Sequence, residues 1–96
     1  MSQANQRTIK QAIGEMLKAY RLDGKLAEVR LVQSWEKVMG VMIARHTAEV
    51  SVRNKKLYVR LDSAALRQEL SYGREKILNL LNEEAGTRVI EDIVFQ

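Results

Sequence analysis

At His46 the spacing of apolar residues changes from about 3.6 to about 2, and that switch constrains the fold more than any other feature. Upstream, residues 7–22, RTIKQAIGEMLKAYRL, set Ile9, Ile13, Met16, Leu17 and Tyr20 at helical spacing. Asp23-Gly24 follows, and glycine commonly ends a helix in the left-handed conformation. A second helix fits 25–39, with Leu26, Val29, Val32, Trp35 and Met39 on one stripe and Gly40 at its end. The short connection predicts that the two helices fold back on each other as a hairpin. Residues 41–46, VMIARH, read either as an extra helical turn or as a linker.

Downstream, HTAEVSVRNKKLYVRLDS (46–63) alternates on both sides of Asn54-Lys55. Ala48, Val50, Val52, Leu57, Val59 and Leu61 form the inward set of a β-hairpin. Thr47, Glu49, Ser51, Arg53, Lys56, Tyr58, Arg60 and Asp62 form the outward set. Asparagine tolerates the positive φ that so tight a turn requires. Ser63 suits a helix N-cap. Leu66, Leu70, Ile77, Leu80 or Leu81, and Ala85 then make a helical stripe that Gly86 ends. Gly73 lies on or beside that stripe, where it either allows close packing on the sheet or marks a break. The β-branched run RVIEDIVF (88–95) reads as a last strand.

The expected order is α-α-β-β-α-β. The last strand can join the hairpin only by crossing over through the helix of 63–85. This predicts a two-layer α+β fold, a three-stranded sheet with helices packed on one face. Its 96 residues allow one core, hence a single domain over 1–96. The other face of the sheet would carry Arg53, Lys56, Tyr58 and Arg60 unless a partner covers it.

Catalysis has little to work with in this sequence. His46 is the sole histidine, no cysteine occurs, and no Ser or Asp stands at a triad-like spacing, so no catalytic residue is expected. There is no HExxH, acidic calcium loop or Cys/His cluster, so neither a metal site nor a cofactor is expected. LDGKL (22–26) has the outline of a phosphate loop, but lacks its first glycine, the Ser/Thr after the lysine and a preceding strand. It reads as a helix–helix turn; ATP or another small-molecule substrate is not expected. No apolar run approaches the roughly 20 residues of a membrane span. The start, MSQANQRTIK, lacks the apolar stretch of a signal peptide, so a cytoplasmic protein is expected.

The net charge is +4, unevenly spread. Residues 1–62 hold twelve Lys/Arg against six Asp/Glu, and residues 63–96 four against six. A basic half suits nucleic acid or an acidic partner, and also suits solubility alone. The sharpest concentration is Arg53, Lys55, Lys56 and Arg60 around Tyr58, where cations could hold phosphates and the ring could stack a base. The competing reading is a solvated strand face whose charges guard a sheet edge. SYGREK (71–76) occupies the place of the GxxG loop of a K-homology domain but has one glycine, so a full grip is not expected; Arg74 and Lys76 could still touch phosphate. Trp35 reads as a core anchor. Glu83-Glu84 oppose the dipole of their helix, a conflict Arg88 could relieve; facing a basic partner is the other reading for these acids and for Glu91-Asp92.

The ordered series from Trp35 through the IARHT step, the hairpin, the leucine-rich helix ending LNEEAG and the closing VIEDIVF resembles the DciA-like family of bacteria. The resemblance runs from about Leu31 to Phe95, and residues 9–30 suit that family's leading helices. It implies a K-homology-like fold without the complete GxxG grip. It also implies a non-enzymatic adaptor in the initiation of DNA replication, which binds the replicative DNA helicase and DNA and assists helicase loading. On that reading Arg53, Lys55, Lys56, Tyr58, Arg60, Arg74 and Lys76 are the nucleic-acid-binding candidates. Two departures stand out: Leu66 occupies a position where many relatives have Trp, and the long basic or disordered extension of many relatives is not seen after Phe95; both bear on the strength of DNA binding more than on the fold. A single-stranded RNA-binding module and a protein-interaction domain without nucleic acid are the alternatives.

Overall fold

The computed structural model describes the backbone of residues 2–19 and 22–96 and the side chains of 8–19 and 24–96. Three helices lead: α1 (Ser2–Ala19), α2 (Leu22–Met39) and the short α3 (Val41–Arg45). The hairpin strands β1 (Thr47–Arg53) and β2 (Lys56–Leu61) follow, then α4 (Ala64–Tyr72), α5 (Arg74–Ala85) and β3 (Asp92–Phe95). The sheet order is β1-β2-β3, antiparallel between β1 and β2 and parallel between β2 and β3. The parallel pair requires a crossover, which α4 and α5 supply, and the α+β class follows from it.

The core lies between the sheet and the helices. Leu57, Val59 and Leu61 of the central strand meet Ile93 of β3, Leu31 and Trp35 of α2, Leu70 of α4 and Ile77, Leu81 and Ala85 of α5. Trp35 is also a hydrogen-bonding anchor. Its Nε1–H donates to Thr47 Oγ1 at 3.1 Å, and that hydroxyl donates to the Ile43 carbonyl at 2.8 Å. The relay ties α2, β1 and α3 together and leaves the buried indole N–H satisfied. It also gives residues 41–46 their form: Gly40, at φ 90°, turns the chain out of α2 into one further short helix.

The helix ends follow local chemistry. Ser63 Oγ accepts from the Leu66 N–H at 3.2 Å, the N-cap expected of it. Gly86, at φ 81°, ends α5 in the left-handed conformation. The stretch 63–85 is broken, with Gly73 between α4 and α5. Gly73 itself sits at φ −103°, and a Cβ there would meet only ordinary contacts, the Leu70 carbonyl at 3.9 Å and Ile77 Cδ1 at 4.0 Å. The break therefore does not depend on glycine's conformational freedom or on a close approach.

Several expectations are corrected. Gly24 lies inside α2 and terminates nothing; Tyr20, placed on the α1 stripe, falls outside the described residues. Of the stripe expected on α2, Trp35 is buried and Met39 packs against the core, while Leu26 and Val29 are exposed; Leu31, Ser34 and Val38 complete the face toward the core. Ser34 is tolerated there because its hydroxyl donates back to the Leu31 carbonyl at 2.7 Å. The first two helices do not close along their length: Ile9, Ile13 and Met16 of α1 are 59%, 48% and 50% exposed. The molecule is elongated, with a Cα radius of gyration of 16.5 Å where a compact chain of this length has about 12–13 Å. Ala48 is exposed because a bulge between Thr47 and Glu49 interrupts the pairing register and turns Thr47, not Ala48, toward Trp35. Of Leu80 and Leu81, Leu81 is the buried one.

The last strand is shorter than the run 88–95, because residues 88–91 are held by side chain and turn contacts instead of a ladder. Asn82 Oδ1 accepts from the Val89 and Ile90 N–H groups at 2.9 and 3.1 Å, and its Nδ2 donates to the Ile90 carbonyl at 3.0 Å. The Glu91 N–H donates to the Lys55 carbonyl at 2.7 Å, fastening the approach to β3 onto the hairpin turn. Glu84 pairs with Lys37 of α2, so the relief expected from Arg88 comes from another helix.

Candidate nucleic-acid interface

The hairpin turn builds the site. Asn54 and Lys55 have φ of 51° and 62°, the two consecutive left-handed residues of a type I′ turn. Such a turn matches the twist of its strands and fixes the register: Arg53 opposite Lys56, Ser51 opposite Tyr58, Glu49 opposite Arg60. On the other side of β2, Lys56 stands beside Asp92 and Tyr58 beside Val94. With the helices on the Leu57/Val59/Leu61 side, the alternate residues of the strands form the uncovered face.

On that face Arg53, Tyr58 and Arg60 come together. They line a shallow depression of about 320 Å³ with Glu49, Ser51 and Gln96. The Arg53 guanidinium carbon lies 4.4 Å from the centre of the Tyr58 ring, a cation–π contact that orients both groups. Arg60 Nη2 lies 3.3 Å from Glu49 Oε2, with both side chains 58% exposed. An exposed pair of this kind is worth about 0–1 kcal/mol, so a phosphate can displace the carboxylate at little cost. Lys56 is exposed on the same strand and, among the described residues, has no ion-pair partner.

The remaining candidates lie elsewhere. Lys55 is at the hairpin tip, 4.0 Å from Glu91, and lines a separate depression of about 400 Å³ with Gly24, Ala27, Glu28, Thr87, Arg88 and Val89. Arg88 is thus a second cation at the tip, a position that its expected part in helix-end electrostatics did not suggest. Arg74 and Lys76 belong to α5, in the helical layer. Lys76 lines a third depression, about 640 Å³, with Tyr72, Gly73, Glu75, Asn79, Leu80 and Glu83. Neither joins Arg53, Tyr58 and Arg60 in one depression. Tyr72, 75% exposed beside the helix break, was missed; the signal available was an aromatic immediately before the glycine. Its hydroxyl accepts from Gln68 Nε2 at 3.0 Å, which holds the ring along α4.

His46 Nδ1 lies 2.8 Å from Asp62 Oδ1 at the base of the hairpin, both exposed. The Asp62 N–H also donates to the His46 carbonyl at 3.0 Å, so the pair closes the strand ends. Among the described residues no three His, Cys, Asp or Glu side chains are grouped to hold a metal ion, and no helix is long and apolar enough to cross a membrane.

A UPF0232 protein of Corynebacterium glutamicum (strain R) is 30% identical over 63 residues, which are 66% of this chain and 35% of that protein. The match therefore spans about a third of the relative's length. The family model described as Dna[CI] antecedent, DciA, matches residues 8–95, from within α1 to the last residue of β3. The chain belongs to the DciA family.

Proposed function

We propose that the chain is a non-enzymatic adaptor in the initiation of bacterial DNA replication, binding the replicative helicase and DNA and assisting helicase loading. Family membership over residues 8–95 carries the replication role. The uncovered sheet face carries the DNA contact: Arg53 and Arg60 approach phosphates, Tyr58 offers a stacking surface, and Lys55, Lys56 and Arg88 extend the positive edge around the tip. Lys55 adds an independent argument. It occupies a left-handed position where glycine would be less strained, and its exposed pair with Glu91 returns little. A cation kept at a strained position is accounted for by a ligand that uses it. Arg74, Lys76 and Tyr72 form a second, subsidiary contact at the helix break.

Charge reversal at Lys55, Lys56 and Arg60 tests the reading. The expected result is weaker binding to single-stranded DNA, with a log K against log salt slope reduced by about 0.7 for each phosphate no longer neutralised. An unchanged affinity and slope would remove the hairpin from the site. Pull-down of the replicative helicase with and without nuclease tests the protein contact separately: retention after nuclease is expected. Competition with RNA oligonucleotides discriminates the RNA reader, which alone gains from the 2′-hydroxyl.

A further inference from the structure

Taking the DNA contact proposed above as its basis, we infer that the depression on the sheet face reads one unpaired guanine, with Glu49 and Arg60 as the specificity-determining pair. The hollow has a local cause. In the hairpin register the small Ser51 stands opposite the large Tyr58, and both are half-buried. The floor beside the ring is therefore low, and Arg53, Glu49, Arg60 and Gln96 stand around it, enclosing about 320 Å³. That is the lower end of small-ligand sites, roughly 300–1,000 Å³, and suits a single base. The wall at Gln96 is fixed by its backbone. Its N–H donates to the Val59 carbonyl and its carbonyl accepts from the Leu61 N–H, both at 2.8 Å, on either side of Arg60.

A carboxylate within a phosphate-binding surface weakens that binding, because it repels the groups that Arg53, Lys56 and Arg60 attract. Beside a base it is an acceptor. Glu49 and Arg60 are directly opposite on neighbouring strands, with Oε2 and Nη2 3.3 Å apart. Side by side they offer two acceptor oxygens and then a fork of donors. Guanine has the complement on one continuous edge: N2–H and N1–H donate, and O6 and N7 accept. Thymine sets its one N–H between two carbonyls, and cytosine and adenine each set a ring acceptor next to the amino group. Guanine alone gives the carboxylate two adjacent donors. A base held this way spans the ion pair instead of displacing it, and Arg60 keeps its charge toward neighbouring phosphates. The same contact selects the state of the strand. In a duplex N1–H, N2–H and O6 are taken by cytosine, so only an unpaired guanine can enter. The Tyr58 ring, held by Arg53 at 4.4 Å, supplies the flat wall for the base.

The probes are short fluorescein-labelled oligo-dT strands with one central guanine, hypoxanthine, adenine, cytosine or thymine, titrated with the full chain at low salt. The guanine strand should bind at least about 5-fold more tightly than the thymine strand, the lower end of what one bidentate base contact returns. Hypoxanthine, which lacks only the N2 amino group, should fall between them. Glu49→Gln should tighten binding of the thymine strand and erase the guanine preference. Arg60→Lys keeps the charge without the fork, and should lose the preference at an unchanged salt slope. Both side chains are exposed, so neither change disturbs the core. Annealing the complementary strand should abolish the difference between guanine and thymine. Equal binding of all the strands would overturn the guanine reading while the DNA contact stands; no binding of any strand at low salt would overturn both. A guanine preference that survives Glu49→Gln, or one that survives annealing, would also overturn the reading.

Discussion

Replacing Lys55 with glycine should strengthen the fold while weakening the grip on DNA. The left-handed conformation costs a residue with a Cβ about 1–2 kcal/mol, and Lys55 holds it at φ 62°. Glycine removes that cost but brings back about 0.5–1 kcal/mol of extra unfolded-chain entropy. The Lys55–Glu91 pair, at 4.0 Å with side chains 73% and 60% exposed, adds little to either side of the comparison. The Lys55 carbonyl that accepts from the Glu91 N–H survives the change. The net is a stabilisation of about 0.5–1 kcal/mol, or roughly 2–6 °C in Tm for a domain of this size. Urea unfolding followed by fluorescence of the sole tryptophan, Trp35, reads it as a higher midpoint at unchanged slope. A salt titration of oligonucleotide binding should fall by about 0.7–0.9 in slope, the equivalent of one phosphate. Lys55→Asn removes the same charge with less change in the unfolded chain, and should match the glycine variant in the titration. A lower midpoint at unchanged slope would refute the strain argument. A raised midpoint with an unchanged salt slope would refute the phosphate contact.

Thr47→Val is nearly isosteric, yet it should destabilise by about 1–3 kcal/mol because the buried Trp35 N–H loses its acceptor; denaturant midpoints measure it. Asn82→Ala removes three hydrogen bonds to residues 89 and 90 and should cost about 2–3 kcal/mol, with amide exchange accelerated first at Val89 and Ile90. Gly73→Ala should be neutral or stabilising by up to about 0.5 kcal/mol, since its Cβ meets open or ordinary contacts. Gly86→Ala should cost about 1 kcal/mol at its positive φ; equal losses in thermal melts of the two would contradict the backbone account.

Where one local interaction decides, the sequence was readable. Ser63 as an N-cap, Gly86 as a left-handed end and the burial of Leu57, Val59 and Leu61 each follow from neighbouring residues alone. The α2 face was readable only in part: Trp35 and Met39 lay on the expected stripe and meet the core, but Leu26/Val29/Val32 and Leu31/Val38 both continue a helical period from Trp35, and only tertiary packing selects the second. Ala48 failed because a bulge advances the alternation by one residue without a marker such as glycine. The helix break was left open between two readings, since Gly73 was compatible with either, and its own backbone angles are ordinary. As for the site, Arg53, Tyr58 and Arg60 were found by alternation, which is a property of one strand pair. That Arg74 and Lys76 lie apart from them depends on which side of the sheet the crossover helices occupy, a non-local fact.

The mixed pairing of the sheet also sets an order of assembly. β1 and β2 meet across a two-residue turn, whereas Leu57 meets Ile93 only after α4 and α5 have spanned the interval. Closing that longer loop costs roughly 2–3 kcal/mol more in chain entropy. The hairpin can therefore form as soon as it leaves the ribosome, with one flank of β2 bare until Asn82 has latched residues 89 and 90 and drawn β3 into place. During synthesis the nascent domain carries an unmatched row of β2 amides and carbonyls beside a largely apolar strand, and the interval ends only when β3 has been made.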